Sequence, residues 1–202
     1  MESGGGVVPA AEAAYQAAIL LTSGPAGGVL ASQKLGEQIG YRNIITADMG
    51  GTSFDVGLIV DGQPILQTIR EEGRFHVALP SIKVTAIGAG GGSIARLHAG
   101  HLYVGPESAG AVPGPACYGR GGTEPTITDA DVVLGVIDPK YFLGGQMSID
   151  VAKAEAAVRD RIARPLGMDL HQAAAGIREV ANNKMADLLR RVTTLSGHDP
   201  RN

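Results

Sequence analysis

Two aspartates, Asp48 and Asp55, flank four residues that could bind a phosphate group and its metal ion. The four residues are Gly50-Gly51-Thr52-Ser53. They offer backbone N–H groups and two hydroxyls, and the aspartates add carboxylate oxygens. Runs of backbone N–H groups bind anions, and Mg²⁺ prefers oxygen ligands. A plain hairpin with a glycine-rich tip is the alternative, but the two carboxylates placed around Gly-Gly-Thr-Ser favour a site for phosphate and magnesium.

Predicted strands on both sides must position this run. A strand over 44–48 enters it, and a second strand leaves it through Val56, Leu58 and Val60, which alternate with Asp55, Gly57 and Ile59. Asp61-Gly62 is a strong hairpin signal and predicts a third strand over 64–69. Because the first strand is apolar, we expect it to be buried together with Asp48. A buried carboxylate is costly without a cation or donors, which magnesium would supply.

The chain before the first strand predicts a crossover helix. We expect a short helix over 10–18, a buried strand over 19–22 and a break over 23–28. A helix over 29–39 follows, and Gly40 suits its C-cap. Strand, helix and strand in this order are long enough for a right-handed crossover.

A second glycine-rich run, Gly88-Ala89-Gly90-Gly91-Gly92-Ser93, follows a predicted strand over 82–87 and precedes a possible helix. Glycines at such a junction are typical of dinucleotide-binding folds. The spacing differs, however, because Ser93 stands where the third glycine is needed. No acidic residue lies at the end of a second strand about 20 residues on. A dinucleotide site is therefore disfavoured.

The remaining segments predict one charged loop, one long loop and a helical end. The charged loop covers 70–76, and the long irregular loop covers 105–125. Three helices follow. The first covers 132–134 and is expected to be capped by Asp129 or Asp131, and the second covers 151–163 and is expected to be capped by Asp150. The third is longer, begins at 170 after its expected cap Asp169 and is interrupted around 182–184. The apolar spacing of the last helix indicates core packing.

Composition excludes several classes of function. The chain has 202 residues, a net charge of −3 and no basic block, so nucleic acid is not an expected partner. No leader and no apolar run of spanning length is present, which predicts a cytoplasmic protein without a membrane partner.

Cys117 is the one cysteine, so no intrachain disulfide can form. We interpret it as a small buried thiol rather than a nucleophile, and the histidines lack a metal-binding spacing.

Several phrases of the chain resemble the hydantoinase A/oxoprolinase family of the actin-like ATPase superfamily. They cover 48–56, 87–95, 102–110, 113–122 and 125–131, the first being Asp-Met-Gly-Gly-Thr-Ser-Phe-Asp-Val. The resemblance implies an α/β ribonuclease-H-like, actin-type ATPase domain with a mixed sheet, a strand meander and C-terminal helices. It further implies one lobe of a longer protein, covering 1–202. Its expected parts are a crossover and meander (1–70), a glycine-rich and loop region (71–147) and a helical part (148–197).

The resemblance implies part of an ATP-dependent hydrolase of cyclic amides such as hydantoin or 5-oxoproline. The alternatives are a subunit of an ATP-dependent acetone or acetophenone carboxylase and, from another class, a non-enzymatic actin-like ATP-binding module. Expected partners are a cyclic amide or ketone substrate and a B-type subunit, and the expected cofactors are ATP and Mg²⁺. Because the first phosphate motif and the adenosine segment do not occur in the chain, we expect the chain by itself to be inactive.

Roles for individual residues also follow from the resemblance. Asp48 would hold magnesium or orient the attacking group, and Asp55 would be a second, less central carboxylate. The β- and γ-phosphates would be bound by Gly50, Gly51, Thr52 and Ser53. The residues expected near the nucleotide or the substrate are Gly90, Gly91, Gly92 and Ser93. The chain departs from the family at Lys83 and Thr85, where an acidic residue and a histidine are usual.

Overall fold

A computed structural model describes residues 1–199 and 201 and has an α/β fold. Pro200 and Asn202 lie outside the described residues. The α-helices are Ala10–Ala13 (α1), Ser23–Ile39 (α2), Ile127–Val133 (α3), Val151–Val158 (α4), Arg164–Leu166 (α5) and Leu170–Leu195 (α6). The strands are Ile44–Met49 (β1), Phe54–Val60 (β2), Gln63–Pro64 (β3), Leu66–Gln67 (β4), Arg70–Glu72 (β5), Phe75–Val77 (β6), Ser81–Ile82 (β7), Val84–Ile87 (β8), Ser93–His98 (β9) and His101–Ser108 (β10).

The chain forms two compact units. The first comprises residues 1–48, 55–86 and the segment from 188 on. The second comprises residues 49–54 and 87–187. Each unit has its own apolar core.

The first unit contains a four-stranded sheet in which β2 pairs with β1, β3 and β8. The β2–β3 pair is antiparallel, with Ile59 opposite Pro64. The connecting residues Asp61 and Gly62 have φ values of 52° and 78°. Positive φ at both positions is the geometry of the tight hairpin turn that Asp-Gly favours. The hairpin expected at this point is therefore confirmed.

Helix α2 covers the sheet of the first unit and forms its core. Ala26 and Val29 of the helix pack with Ile59 and Ile82 of the strands.

Strand β1, in contrast, is mostly exposed to solvent. Its residues Ile45, Ala47 and Met49 point to one face of the strand and are exposed. The expectation that β1 and Asp48 are buried is therefore wrong for this chain.

The segment before β1 differs from the sequence prediction. Residues 10–18 form only the short α1 and the start of a 3₁₀-helix, Ala17–Leu20, and 19–22 is not a strand. Helix α2 begins at Ser23, so the expected break over 23–28 is helical. Pro25 is tolerated because N–H groups of the first helical turn have no intrahelical acceptor. The predicted C-cap is confirmed, since Gly40 has a φ of 84° and donates to the Gly36 carbonyl.

Short hairpins replace two simpler elements of the prediction. The third strand of the meander is split into β3 and β4, and β4 pairs antiparallel with β7. The segment expected as a charged loop is the hairpin β5–β6, in which Glu71 lies opposite His76. Gly73, with a φ of 59°, makes the turn that joins the two strands. The charged residues of this segment do not prevent strand formation, because β5 and β6 are only three residues long each.

The second unit packs helices on the antiparallel hairpin β9–β10. The segment after the glycine run, which could have been a helix, is strand β9, and Leu97 lies opposite Leu102 in the hairpin. The core of this unit joins strand and helix residues: Ala95, Val104, Ile127, Ala130, Val158, Ile162, Ala163, Ala173, Ala174, Ile177 and Ala181. Small alanines on the helices allow them to approach the hairpin closely.

The helices of the second unit confirm two predicted caps and correct two predictions. Asp150 caps α4 by accepting from the Lys153 N–H, and Asp169 forms a capping box with Gln172. Helix α3 begins earlier than expected, at a cap on Thr126, and not at Asp129 or Asp131. Helix α6 runs unbroken through 182–184. The asparagines there are exposed, so their low helix propensity meets no packing conflict.

The helix expected over 151–163 continues past Pro165. Its middle, Arg159–Ala163, is a π-helical segment, and α5 follows it to Leu166. Proline removes one backbone donor, and a π segment is one way to accommodate the broken ladder. Gly167 ends the run in the left-handed conformation, with a φ of 63°.

Candidate functional site

The run Gly50–Ser53 forms a tight turn in the second unit. The Gly50 N–H donates to the Ser53 carbonyl at 3.0 Å and closes the turn. Gly51 and Thr52 at its tip are exposed. Within residues 1–199 and 201, no acceptor receives a hydrogen bond from the N–H of Gly51 or Thr52. Exposed, unpaired backbone N–H groups in a tight turn are suited to bind an anion such as phosphate.

The second glycine run lies directly against this turn. The Gly91 N–H donates to the Gly50 carbonyl at 3.0 Å, and the Gly92 N–H donates to the Gly51 carbonyl at 2.7 Å. Gly90 donates to the Ser93 hydroxyl oxygen, and Ser93 donates back to the Gly90 carbonyl. The N–H groups of Gly90 to Ser93 are therefore all engaged within the protein. This run shapes the turn at 50–53 through its backbone.

The two backbone segments approach each other so closely that no side chain fits between them. A Cβ atom added to Gly90 would lie 2.5 Å from the Thr52 nitrogen and 2.7 Å from the Gly50 oxygen. A Cβ atom added to Gly92 would lie 2.8 Å from the Gly51 oxygen. Glycine is required where two backbones approach this closely. The two motifs that stood apart in the sequence thus form one structural feature.

Asp48 and Asp55 line one cavity of the first unit, of about 150 Å³. Its other walls come from α2 and from the sheet: Pro25, Gly28, Val29, Ser32, Thr46, Ala47, Gly57 and Val84. Asp48 is exposed and Asp55 is half-buried. The lining residues include two carboxylates and no lysine, arginine or histidine. A cavity with this charge favours a cation.

The strands that carry the two aspartates are joined at Thr46 and Gly57. The Thr46 hydroxyl donates to the Gly57 carbonyl at 3.2 Å and accepts from the Gly57 N–H at 3.0 Å. A Cβ atom at Gly57 would lie 2.6 Å from Val29 of helix α2. Glycine at this position therefore lets α2 approach the sheet. Gly28 was not predicted to line the cavity because α2 was expected to begin at Val29, and Thr46 and Gly57 on the strands belong to no recognised motif.

The residues present fit a magnesium ion whose coordination is completed by ligands from outside this chain. No cluster of three or more His, Cys, Asp or Glu residues with metal-binding geometry occurs among the described residues. Mg²⁺ is commonly held by one or two carboxylates together with water and substrate phosphates. Asp48, with Asp55 beside the same cavity, can supply that number of carboxylates. His98 and His101 lie directly opposite each other in the β9–β10 hairpin, but no such cluster among the described residues includes them.

Cys117 is a buried structural thiol with no exposed surface. Burial raises its pKa well above the usual range for a thiol, and the nearby Asp129 carboxylate adds to the effect through its charge and a hydrogen bond. A nucleophilic cysteine needs the opposite, a lowered pKa and access to solvent. The interpretation of Cys117 as a packed thiol agrees with these surroundings.

We expect Cys117→Ala in the full-length protein to leave turnover within about tenfold of the wild type, equivalent to about 1.4 kcal/mol of activation free energy. Iodoacetamide should label the native thiol far more slowly than the unfolded one, because the raised pKa keeps it protonated. Cys117→Asp should destabilise the protein much more than Cys117→Ala, since a second carboxylate would be buried beside Asp129. Complete loss of activity in a folded Cys117→Ala variant would contradict this interpretation.

Within the described part of the chain, no helix combines the length and the apolar character needed to cross a membrane. Together, the fold and the site define an α/β protein with a glycine-rich turn that exposes backbone N–H groups and with an acidic cavity. The chain belongs to the hydantoinase/oxoprolinase family, whose family model matches residues 1–202. The family expected from the motifs is thereby confirmed.

Similar proteins include both carboxylase and amidase subunits. The chain is 44% identical over 180 residues to the acetophenone carboxylase gamma subunit of Aromatoleum aromaticum, covering 88% of this chain and 25% of that protein. It is 43% identical over 201 residues to the caprolactamase subunit alpha of Pseudomonas jessenii, covering 99% of this chain and 29% of that protein.

Solved structures show the same fold. A nucleotide-free structure of acetone carboxylase, from work on ATP-dependent acetone carboxylation, matches with a TM-score of 0.89 at 36% identity. The match covers 99% of this chain and 28% of that chain. The chain therefore spans between a quarter and a third of the length of these relatives.

Proposed function

We propose that the chain is the phosphate-binding part of an ATP-dependent enzyme that hydrolyses a cyclic amide. The turn at 50–53 carries this proposal, because its exposed N–H groups at Gly51 and Thr52 lack protein acceptors. Its backbone is held by hydrogen bonds from the Gly91 and Gly92 N–H groups. Phosphoryl transfer depends mainly on such positioning and on charge stabilisation. Support also comes from two solved relatives, an acetone carboxylase that acts in ATP-dependent acetone carboxylation and an ATP-dependent caprolactamase.

Five residues of the stretch 48–55 have a proposed task. The N–H groups of Gly51 and Thr52 and the hydroxyls of Thr52 and Ser53 bind the terminal phosphates of ATP. Asp48 holds Mg²⁺, directly or through water, and Asp55 is the secondary carboxylate. Magnesium, when bound, neutralises phosphate charge. Gly90, Gly91, Gly92 and Ser93 act on the nucleotide indirectly, by holding the turn.

Two classes of substrate are candidates for this chain. A cyclic amide is favoured by the family description and by the caprolactamase relative, which is matched over 99% of this chain. A ketone that is carboxylated is the second candidate, favoured by the acetophenone and acetone carboxylase relatives. Because the matched relatives are subunits, a partner subunit of the B type is part of the proposal. We further propose an actin-type, ribonuclease-H-like fold for this lobe and a cytoplasmic location.

The experiment is an ATP hydrolysis assay on the full-length protein with its partner subunit. One set of reactions contains 5-oxoproline, hydantoin or caprolactam, and the other contains acetone or acetophenone with bicarbonate. We expect a lactam to stimulate ATP hydrolysis without bicarbonate. Stimulation only by a ketone with bicarbonate would identify the carboxylase instead. ATP binding without stimulation by any substrate would favour a non-enzymatic module.

A further inference from the structure

The glycine run that holds the phosphate turn is itself held from the opposite side by one threonine. Thr128 donates to the Gly91 carbonyl twice, from its N–H and from its hydroxyl, each at 2.8 Å. The N–H of the same Gly91 donates to the Gly50 carbonyl. A short chain of hydrogen bonds therefore connects Thr128 through Gly91 to the turn at 50–53. All of these residues belong to the second unit.

Thr128 is fixed in place by the first turn of helix α3. Thr126 and Asp129 form a capping box around it. The Asp129 carboxylate is fully buried and accepts hydrogen bonds from the N–H and hydroxyl of Thr126 at 2.9 and 2.8 Å. It also accepts from the N–H groups of Ala116 and Cys117 at 3.2 and 2.8 Å. The turn at 50–53 is therefore connected, through Gly91, to a helix end that is closed by a capping box and by the buried Asp129 carboxylate.

The hydrogen bond from the Thr128 N–H to Gly91 also has an ordinary explanation, because Thr128 lies in the first turn of a helix. N–H groups in the first turn of a helix lack intrahelical acceptors and need a partner elsewhere. The bond from the Thr128 N–H to Gly91 would satisfy that need by itself. The hydroxyl adds a second donor to the same carbonyl, and Thr128 is largely buried, at 6% exposure. That second bond adds restraint on Gly91 beyond what the helix end needs.

We propose that Thr128 is a positioning residue for the nucleotide phosphates, acting through Gly91 on the turn at 50–53. This inference rests on the proposed function, since it assumes that the turn binds phosphate. The hydroxyl of Thr128 restrains the Gly91 peptide, and Gly91 in turn restrains the Gly50 carbonyl. A turn that is held before binding loses less conformational freedom when the phosphate arrives. Nucleotide affinity should therefore depend on a side chain that never touches the nucleotide.

The test compares Thr128→Val and Thr128→Ser in the full-length protein. Valine keeps the shape and the backbone N–H but removes the hydroxyl donor, whereas serine keeps the donor. Thr193→Val is the matched control, because the Thr193 hydroxyl is also buried and donates to backbone carbonyls within helix α6. The readouts are kcat/KM for Mg-ATP, KM for the second substrate and hydrogen exchange at the Gly91 and Gly92 amides.

We expect Thr128→Val to lower kcat/KM for Mg-ATP about tenfold, the size of effect that one hydrogen bond can produce. The KM of the second substrate should stay unchanged, and exchange at the two glycine amides should accelerate. Thr128→Ser should keep kcat/KM for Mg-ATP and glycine exchange at their wild-type values, and Thr193→Val should change none of the three readouts. If Thr128→Val does not fold, Thr128→Ala, with serine as its rescue, provides the same comparison by hydrogen exchange.

Three results would contradict the inference or the proposed function, and they can be told apart. If Thr128→Val keeps wild-type kcat/KM and glycine exchange while Asp48→Asn abolishes ATP hydrolysis, the positioning role is wrong and the phosphate site stands. If Asp48→Asn also hydrolyses ATP normally, the phosphate assignment itself is wrong. A loss of stability in Thr128→Val equal to that of Thr193→Val, without a change in nucleotide kinetics, would leave Thr128 a purely structural residue.

Discussion

Asp48→Asn is expected to reduce ATP-dependent turnover of the full-length protein by at least about a hundredfold, near 3 kcal/mol of activation free energy. Asparagine keeps the size and a carbonyl oxygen of the side chain but removes the charge that would hold magnesium. Because Asp48 is exposed, the apo melting temperature should hardly change, as is usual for surface substitutions. Initial rates of ATP hydrolysis over a range of Mg²⁺ concentrations measure the effect. Part of the loss should be recovered at high Mg²⁺.

Asp55→Asn is the matched control for this prediction. Both aspartates line the same cavity, but Asp55 is proposed to be the secondary carboxylate and should lose less activity. Asp48→Asn with normal ATP hydrolysis and a much lower melting temperature would contradict the magnesium role. In that case Asp48 would be a structural residue at the end of β1.

Gly90→Ala is expected to have the largest effect on the structure of the site. The added methyl group would lie 2.5 Å from the Thr52 nitrogen and 2.6 Å from the Gly51 carbonyl carbon. These are backbone atoms, so relief requires the turn at 50–53 to move. Overpacking typically costs about 1–3 kcal/mol, and contacts with fixed backbone atoms place this substitution at the upper end. Thermal melting and Mg-ATP titration of the full-length variant should show lower stability and loss of nucleotide binding.

Gly24→Ala provides the control for the glycine substitution. Gly24 lies in the first turn of α2, and an added Cβ would meet no atom within 4 Å. Alanine is a better helix former than glycine, so stability should stay equal or rise by up to about 1 kcal/mol. A Gly90→Ala protein that binds Mg-ATP like the wild type would show that the close approach of the two runs is not needed for the site.

The candidate site was predictable from sequence only as separate motifs. Asp48 and the glycine turn were recognisable because carboxylates and N–H groups with these spacings have a known chemistry. The contact of Gly90 to Gly92 with that turn was not predictable, since it is a backbone-to-backbone contact between residues about 40 positions apart. The role of Thr128 was hidden for the same reason. Its hydroxyl bonds a carbonyl, which leaves no pattern in the sequence.

The fold shows a similar division between local and distant causes. The Asp61-Gly62 hairpin and the caps at Gly40 and Asp150 were predicted correctly, because each depends on a few neighbouring residues. Helix α2 was predicted too short, since Gly27 and Gly28 weaken helix propensity and packing against the sheet outweighs that loss. The burial of β1 was also mispredicted. Its apolar residues suggested a core strand, although only neighbouring elements decide what covers a strand.

Strand β1 has a practical consequence for work with this chain in solution. Among the described residues it ends the strand order of its sheet, so one edge of its backbone remains open to pairing. Its exposed face carries Ile45 and Met49, at 39% and 42% exposure. Open edges with apolar side chains pair readily with other chains. Self-association through β1 should therefore increase with protein concentration, and a lysine at the exposed Ala47 should reduce it.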